Sequence, residues 1–115
     1  MTGFRLGTIA RVPFPYTDLP TLQHRPALVV AGGLGADADK LWVVMVTSAE
    51  NRRWPGDVPI IENHRAAGLP SPSLIRTEKI TAIDERLAEW RGQVAEDVLA
   101  AVQAKLAAHL RLSAP

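Results

Sequence analysis

The sequence predicts a mostly β protein with some α structure, in which five or six short strands form a small, strongly bent sheet or barrel capped by one C-terminal helix. Short apolar and β-branched runs alternate with turn residues up to about residue 90, which is typical of closely connected strands. Apolar residues then recur every three or four positions, which indicates one amphipathic helix. The 115 residues, of which 47% are hydrophobic, contain no linker segment, so we expect residues 1–115 to form a single domain.

The first half of the chain predicts three strands. Pro13 and Pro15 cannot donate to a sheet ladder, so the first strand should end or bulge there. Pro26 favours extended backbone in the preceding residue and opens the second strand. The third strand is almost continuously apolar (LWVVMVT) and should be the core of the sheet. These strands are predicted at residues 7–12, 27–31 and 40–47, with a polar loop at 16–23 and a glycine turn at 32–35.

The second half predicts shorter strands and the helix. Gly68, Pro70 and Pro72 exclude a helix at 66–72 and indicate a loop. The strands are predicted at residues 57–61, 73–76 and 78–82, with a single helical turn or tight turn at 84–89 and Trp90 on a last extended piece. The helix should begin near Ala95 and cover the sheet with an apolar stripe formed by Val98, Leu99, Val102, Leu106 and Leu110.

The overall charge excludes strong global attraction to nucleic acid. Thirteen lysines and arginines stand against 12 acidic residues, a net charge of +1, so any nucleic-acid site must be local. The absence of cysteine excludes disulfides and cysteine-based zinc sites and is typical of a reducing compartment. No apolar run approaches the roughly 20 residues of a membrane helix, and no signal peptide is evident. We therefore expect a cytoplasmic protein with no membrane partner.

Two polar segments at strand ends predict a phosphate site. His24-Arg25-Pro26 precedes one apolar strand, and Thr47-Ser48 ends another. A guanidinium can donate two hydrogen bonds to one phosphate, and hydroxyls can add further donors. A reaction at a phosphate requires alignment of the reacting groups and stabilisation of negative charge, which such donors can supply. The same residues also have purely structural interpretations. Arg25 could be a surface arginine in an ion pair, Thr47 an ordinary β-branched strand residue and Ser48 a turn former.

Five segments in the same order resemble the MazF/PemK toxins of type II toxin–antitoxin systems. They are GTIARVPFPYTD at 7–18, HRPALVVA at 24–31, VVMVTS at 43–48, AGLPSPSLIRTEKITAID at 67–84, and the closing helix. The resemblance implies an SH3-like or PemK-type β-barrel, a homodimer, and a sequence-specific endoribonuclease that cleaves single-stranded RNA without metal or cofactor. Its products would carry 2′,3′-cyclic phosphate and 5′-hydroxyl ends. The resemblance further implies a cognate antitoxin, a DNA-binding protein with a disordered C-terminal tail.

The resemblance also assigns roles at the two strand ends. Arg25 is implied to be catalytic, and a permanently charged guanidinium suits charge stabilisation but not proton abstraction. Thr47 is implied to contact the scissile phosphate, with Ser48 as a second hydroxyl donor.

The residue that transfers the proton is left open between Glu78 and His24. In the PemK branch an arginine and an acidic residue two positions later act as phosphate ligand and general base, and Arg76 and Glu78 match those positions. A spacing of two in a strand puts both side chains on one face, where Glu78 could also pair with Arg76 as structure. His24 is the competing acid or base, since an imidazole exchanges protons near neutral pH, unless it is a plain surface residue.

One position departs from the PemK pattern. That branch carries a catalytic histidine early in the first long loop, where this chain has Asp18-Leu19-Pro20. Either His24 replaces that histidine, or the chain uses the arginine and hydroxyl chemistry of the MazF branch, which we favour.

Substrate recognition is expected in the two long loops, at 16–23 and 49–56. Arg52, Arg53 and Trp54 combine charge with a stacking face, as single-stranded RNA binders do, and Asp18 is the substrate-binding candidate in the first loop. The alternative for Trp54 is packing against the following proline or burial in a dimer contact.

Two other functions are compatible with such a fold: a non-enzymatic gyrase poison of the CcdB type, and an inactive PemK-like regulatory binder. Fold alone cannot choose among them, because function resides in the site. The combination of Arg25 and Thr47 favours the endoribonuclease, since a gyrase poison has no need for it.

Overall fold

The computed structural model describes residues 4–15 and 22–112, and it contains one six-stranded antiparallel sheet and one α-helix. The strands are β1 (Thr8–Pro15), β2 (Leu22–Leu34), β3 (Lys40–Ser48), β4 (Asp57–Ile60), β5 (Ser73–Asp84) and β6 (Glu89–Gln93). A 3₁₀ turn (Glu85–Leu87) precedes β6, and the helix α1 (Glu96–His109) follows it. The strand order is β4-β5-β3-β2-β1-β6. The predicted mostly β class with a C-terminal helix is confirmed.

The sheet carries a hydrophobic cluster on each of its faces. Successive side chains of a strand leave opposite faces, so Val44 and Val46 of β3 belong to one cluster, whereas Val43 and Met45 belong to the other. Helix α1 covers the first cluster: Val102 is fully buried there, and burial of one such side chain is worth about 1.5 to 3 kcal/mol. Strand β3 is therefore the core strand that its composition predicts.

The predicted stripe of the helix packs on the sheet except at its C-terminal end. Val98, Leu99 and Leu106 pack against the first cluster, as expected. Leu110, in contrast, lies just beyond the last helical residue and is 66% exposed. Leu110 is therefore not part of the buried stripe; it lines an open groove beside Trp42 and Ile80 of the sheet. No helix in the described part of the chain is long and apolar enough to cross a bilayer.

Strand β1 continues through Pro13 and Pro15, where the sequence pattern predicts an end or a bulge. Its pairing with β6 stops at Arg11, whereas its pairing with β2 continues to Pro15. Beyond Arg11 the strand has one neighbour instead of two in the described part of the chain, so a missing N–H removes no ladder bond on the open side. Proline at a sheet edge is therefore compatible with a longer strand than the sequence pattern suggests.

Two further strands differ from their predicted bounds. Strand β2 begins at Leu22 rather than residue 27, because its polar first half pairs with β1. The two strands predicted at 73–76 and 78–82 are one strand, β5, interrupted by a bulge. Val44 pairs with Ile80 while its neighbour Met45 pairs with Arg76, so residues 77–79 are extra on the β5 side.

A pair of glycines lets the loop at 66–72 pack directly on β6. A Cβ atom added to Gly68 would lie 2.2 Å from the carbonyl oxygen of Arg91, and one added to Gly92 would lie 2.2 Å from that of Ala67. Gly68 also has φ +85°, a conformation that favours glycine. Two backbones thus touch where any side chain would separate them.

Candidate active site

Strands β2 and β3 part at one end of the sheet, and the parting brings Arg25 and Thr47 to the same place. Within the described residues the β2–β3 ladder ends at the pair Ala27–Met45, after which β2 stays with β1 and β3 stays with β5. Arg25 and Thr47 each lie two residues beyond that last pair. Because side chains alternate along a strand, both project from the same face of the sheet as Ala27 and Met45.

A hydrogen bond from Asn51 orients the side chain of Thr47. Thr47 is 5% exposed, and its Oγ1 accepts a hydrogen bond of 2.6 Å from Nδ2 of Asn51. Asn51 is brought there by a tight turn, in which its backbone N–H donates to the carbonyl of Ser48 (3.0 Å). The Ser48 Oγ accepts from the N–H of Glu50 (3.2 Å), so this hydroxyl helps to form the turn.

Arg25 is half-buried, and its Nη2 donates to Oε1 of Gln23 at 3.3 Å. Both residues lie on β2 at a spacing of two, so they share a face. The guanidinium therefore lies beside the gap where β2 and β3 separate. His24 precedes Arg25 in the strand, so its side chain projects from the opposite face of the sheet, where it is exposed.

Arg76 forms the most enclosed polar cluster in the described part of the chain. It pairs with Met45, so its side chain shares the face of Arg25 and Thr47. Nε donates to Oδ1 of Asp57 (3.1 Å) and Nη2 donates to Oδ2 (2.9 Å), while the Asp57 side chain is fully buried. The predicted alternative of an Arg76–Glu78 ion pair is wrong: Arg76 pairs with Asp57, which β4 places directly opposite it.

The same cluster shapes the loop at 49–56. The Nη2 of Arg76 also donates to the carbonyl of Arg52 (2.7 Å), and the guanidinium carbon lies 4.2 Å from the ring centroid of Trp54. The backbone N–H of Trp54 donates to Oδ2 of Asp57 (2.9 Å). One face of the indole is thereby occupied by a cation, and the residue remains 37% exposed.

A second chain of contacts ties the loop to helix α1. The Thr77 hydroxyl donates to the carbonyl of Gly56 (2.6 Å). Its oxygen also lies 2.9 Å from Nε2 of His109, the last residue of α1. Since the hydroxyl has a single hydrogen, Nε2 is the donor to Thr77. Glu78 is exposed and lies beside the same glycine: a Cβ atom on Gly56 would be 3.0 Å from Glu78 Cγ. It lines the groove beside His109 on the α1 side of the sheet. The predicted common face of Arg76 and Glu78 is therefore wrong, because the bulge at 77–79 interrupts the alternation of side chains.

The structure thus gathers some of the predicted residues and separates others. Arg25, Thr47 and Arg76 share one face at one end of the sheet, with Ser48 in the adjoining turn. Arg52 and Arg53 are exposed on the neighbouring loop. Asp18 lies outside the described residues.

Sequence reasoning missed the residues that hold this site together: Asn51, Asp57, Thr77 and His109. A weak signal existed for Asp57, since an acidic residue that directly precedes an apolar strand often forms a turn or pairs with a cation. For Thr77 and His109 there was none, because 32 positions separate them along the chain.

At the opposite end of β3, Lys40 and Asp84 have shifted pKa values. Lys40 lies 2.8 Å from Oδ1 of Asp84 and 3.1 Å from Oδ1 of Asp39. The hydrogen bond to Asp84, with that to Asp39, raises the pKa of Lys40, and the hydrogen bond from Lys40 lowers the pKa of Asp84. These groups join the start of β3 to the end of β5. Among the described residues no three His, Asp or Glu side chains are grouped to hold a metal ion.

Comparison with known structures shows the same fold in several solved proteins. MazF from Deinococcus radiodurans has a TM-score of 0.74 at 21% identity, over 97% of this chain and 100% of the other. An endoribonuclease in complex with its cognate antitoxin from a mycobacterial species has 0.71 at 18% identity, over 95% and 96%. The Mycobacterium tuberculosis toxin MazF-mt6 has 0.67 at 16% identity, over 92% and 99%. No curated protein matches the sequence.

The six-stranded sheet with its capping helix is thus the fold that these structures share. Residues 6–110 match the model of the family described as PemK-like, MazF-like toxin of type II toxin–antitoxin system. The chain belongs to that family.

Proposed function

We propose that this toxin is an endoribonuclease that cleaves single-stranded RNA, including mRNA, without a metal ion or cofactor. The observation that carries the proposal is the position of Arg25 and Thr47, each two residues beyond the last β2–β3 pair and on one face. A cation and a hydroxyl at the gap where two strands separate are suited to bind a phosphate. Family membership supports the same activity.

The proposed reaction uses the nucleophile of the RNA itself. The 2′-oxygen forms a bond to phosphorus while the bond from phosphorus to the 5′-oxygen breaks, which leaves a 2′,3′-cyclic phosphate and a 5′-hydroxyl. A base takes the 2′-hydroxyl proton, and an acid returns a proton to the departing 5′-oxygen. Arg25 stabilises the added negative charge on the phosphorane, and Thr47 donates to a nonbridging oxygen.

We keep Glu78 as the proposed general base because it matches the acidic position of the PemK branch. Glu78 lies beside Gly56 and lines the groove at the end of α1 with Thr77 and His109, and the side chain of His24 projects from the face opposite Arg25. Neither candidate therefore shares the face of Arg25 and Thr47, and substitution of each residue decides between them.

Recognition of the bases is proposed for the loop at 49–56. Arg76 covers one face of the Trp54 ring, and the ring is partly exposed, so a base can stack on its remaining surface. Stacking of this kind is worth about 1 to 3 kcal/mol per base. Arg52 and Arg53 are exposed nearby and can bind the RNA backbone, with Ser48 as a further hydroxyl donor.

We further propose that the toxin acts as a homodimer in the cytoplasm. An apolar groove of about 350 Å³ lies between the end of α1 and the sheet. Three large apolar side chains line this groove and remain exposed: Trp42 at 48%, Ile80 at 49% and Leu110 at 66%. Large apolar side chains that adjoin in this way mark an interaction surface, and a second copy of the chain is the occupant that family membership supports.

The regulatory partner is proposed to be a cognate antitoxin, a DNA-binding protein whose disordered C-terminal tail folds on the toxin and covers Arg25. The mycobacterial relative in complex with its cognate antitoxin supports this proposal.

Cleavage of a long single-stranded RNA in a buffer containing EDTA tests the function. Wild-type protein should give discrete fragments, and Arg25→Ala and Thr47→Ala should each slow cleavage about 10² to 10³-fold, the usual cost of removing one transition-state donor. Arg86→Ala, at a side chain that is 81% exposed on the 3₁₀ turn, is the matched control. Intact RNA with wild-type protein would overturn the proposal, and stalled gyrase in a parallel assay would then favour the poison.

A further inference from the structure

The direction of one hydrogen bond at Thr47 distinguishes donor from acceptor at the proposed phosphate site. A threonine hydroxyl has one hydrogen and can accept through its lone pairs. Asn51 Nδ2 donates to Thr47 Oγ1 over 2.6 Å, so the Thr47 oxygen is the acceptor in this contact. Within the described residues no protein acceptor takes the Thr47 hydrogen. The hydroxyl therefore keeps its hydrogen for another partner.

We propose that Asn51 is a positioning residue that holds the Thr47 hydroxyl as a donor to a nonbridging oxygen of the scissile phosphate. The inference rests on the proposed endoribonuclease function and deepens it. A phosphate oxygen can only accept hydrogen bonds. A hydroxyl whose hydrogen is used by the protein would present lone pairs to that oxygen and repel it, and the Asn51 amide prevents this arrangement by offering a hydrogen of its own.

The local backbone keeps this contact in place before substrate arrives. Thr47 is a β-branched residue at the end of β3, and such side chains have restricted χ1 angles in a strand. The Ser48–Asn51 turn is closed by the Asn51 N–H to the Ser48 carbonyl, which brings the amide back over Thr47. A donor that is oriented in advance needs no reorganisation in the transition state.

A double-mutant cycle separates positioning from a merely structural turn. The single-turnover cleavage rate of one short RNA, whose cleaved linkage is first mapped with wild type, is measured for wild type, Asn51→Ala, Thr47→Ala and the double variant. Asn51→Ala should slow cleavage about tenfold at saturating RNA with little change in RNA affinity, in line with one hydrogen bond. In the Thr47→Ala background the same substitution should have no further effect.

Two additional measurements test the polarity of the bond. Asn51→Asp replaces the donor by an acceptor that captures the Thr47 hydrogen, so it should be slower than Asn51→Ala. Sulfur in place of one nonbridging oxygen should slow wild type on one diastereomer, and this discrimination should shrink in Asn51→Ala. Asn63→Ala, at an exposed asparagine in the turn region after β4, is the control and should behave as wild type.

The outcomes are distinguishable from failure of the proposed function. If wild type cleaves, Thr47→Ala fails to cleave well, and Asn51→Ala is as fast as wild type, the positioning role is wrong while the endoribonuclease stands. An equal slowing by Asn51→Ala with and without Thr47 would also overturn it, because Asn51 would then act independently of the hydroxyl. If wild type leaves RNA intact, the function and this inference fail together. Unchanged melting temperature of Asn51→Ala would exclude misfolding as the cause of a slower rate.

Discussion

The guanidinium of Arg76 and the carboxylate of Asp57 form a two-point ion pair, with Nε 3.1 Å from Oδ1 and Nη2 2.9 Å from Oδ2. This pair connects β5 to β4 and also organises the loop between β3 and β4. The carboxylate accepts a hydrogen bond from the backbone N–H of Trp54, while the guanidinium donates to the Arg52 carbonyl and lies over the indole ring. Sequence motifs suggested Arg76 as a phosphate ligand. The structure adds that its Nε and Nη2 donors are already used inside the protein.

Removal of the Asp57 carboxylate should destabilise the fold. Asp57→Ala leaves a buried guanidinium without its counter-charge, and breaking a buried pair in this way costs about 3 to 5 kcal/mol. Urea denaturation of wild type and variant measures the difference. The double variant Asp57→Leu with Arg76→Met, which removes both charges, should recover part of the loss. A change below about 1 kcal/mol for Asp57→Ala would mean that the pair contributes little.

Loss of the His109 imidazole should loosen the loop at 49–56. His109→Ala removes the donor to Thr77, whose hydroxyl holds the Gly56 carbonyl, and the expected cost in stability is about 0.5 to 1.5 kcal/mol. In a background with Trp42→Phe and Trp90→Phe, the fluorescence of Trp54 reports the loop directly. We expect greater quenching by acrylamide and weaker RNA binding. Unaltered quenching would show that the contact does not restrain the loop.

Substitution of Glu78 should affect the rate of cleavage more than the binding of RNA. Glu78→Gln keeps the shape of the side chain and removes its capacity to accept the 2′-hydroxyl proton. A decrease of about 10²-fold or more in rate with nearly constant affinity is expected for a general base. His24→Ala serves as the comparison and should stay close to wild type. If His24→Ala is the slow variant instead, the two roles must be exchanged.

An acidic residue in the apolar groove should weaken the proposed homodimer. Leu110→Asp places a charge on the face formed with Trp42 and Ile80, where desolvation of a carboxylate is unfavourable. Sedimentation velocity at micromolar concentration should show a dimer of the 12.5 kDa chain for wild type and a monomer for the variant. Leu87→Asp, at an exposed leucine on the 3₁₀ turn, is the matched control. A monomeric wild type would contradict the dimer proposal itself.

The ion pair between Lys40 and Asp84 should give stability a defined pH dependence. The pKa of Asp84 is lowered from its ordinary value of 3.8, so its contribution is present above that value and is lost as pH falls through the lower folded pKa. The pKa of Lys40 is raised from 10.5, so its contribution is present below that value and is lost as pH rises through the higher folded pKa.

Thermal melts of wild type and Asp84→Asn measure this contribution. The difference between them should be constant from about pH 5 to 9 and shrink towards both extremes. Because both groups are solvent-accessible, the difference should be small and decrease further at high salt. A difference that grows in acid would contradict the assignment.

The sequence predicted the strands wherever apolar residues run continuously, as in β3, and the helix wherever they recur at helical spacing. It failed at β2 and β5. The polar first half of β2 is a strand because β1 lies beside it, and β5 is continuous because a bulge absorbs three residues. Local propensity contains neither fact, since both depend on a neighbouring strand that is distant along the chain.

The candidate site divides in the same way. Residue types at the strand ends were enough to suggest Arg25 and Thr47, because chemistry on a phosphate requires fixed cations and hydroxyl donors, and the resemblance to the MazF/PemK toxins added Arg76. The tertiary structure decided how they stand: it parted β2 from β3 at Arg25 and Thr47, directed Arg76 onto Asp57, and brought Asn51 to Thr47 and His109 to Thr77. The physical reason is that side-chain identity is local, whereas the partner of a buried polar group is whichever atom the packed sheet and helix bring within about 3 Å of it.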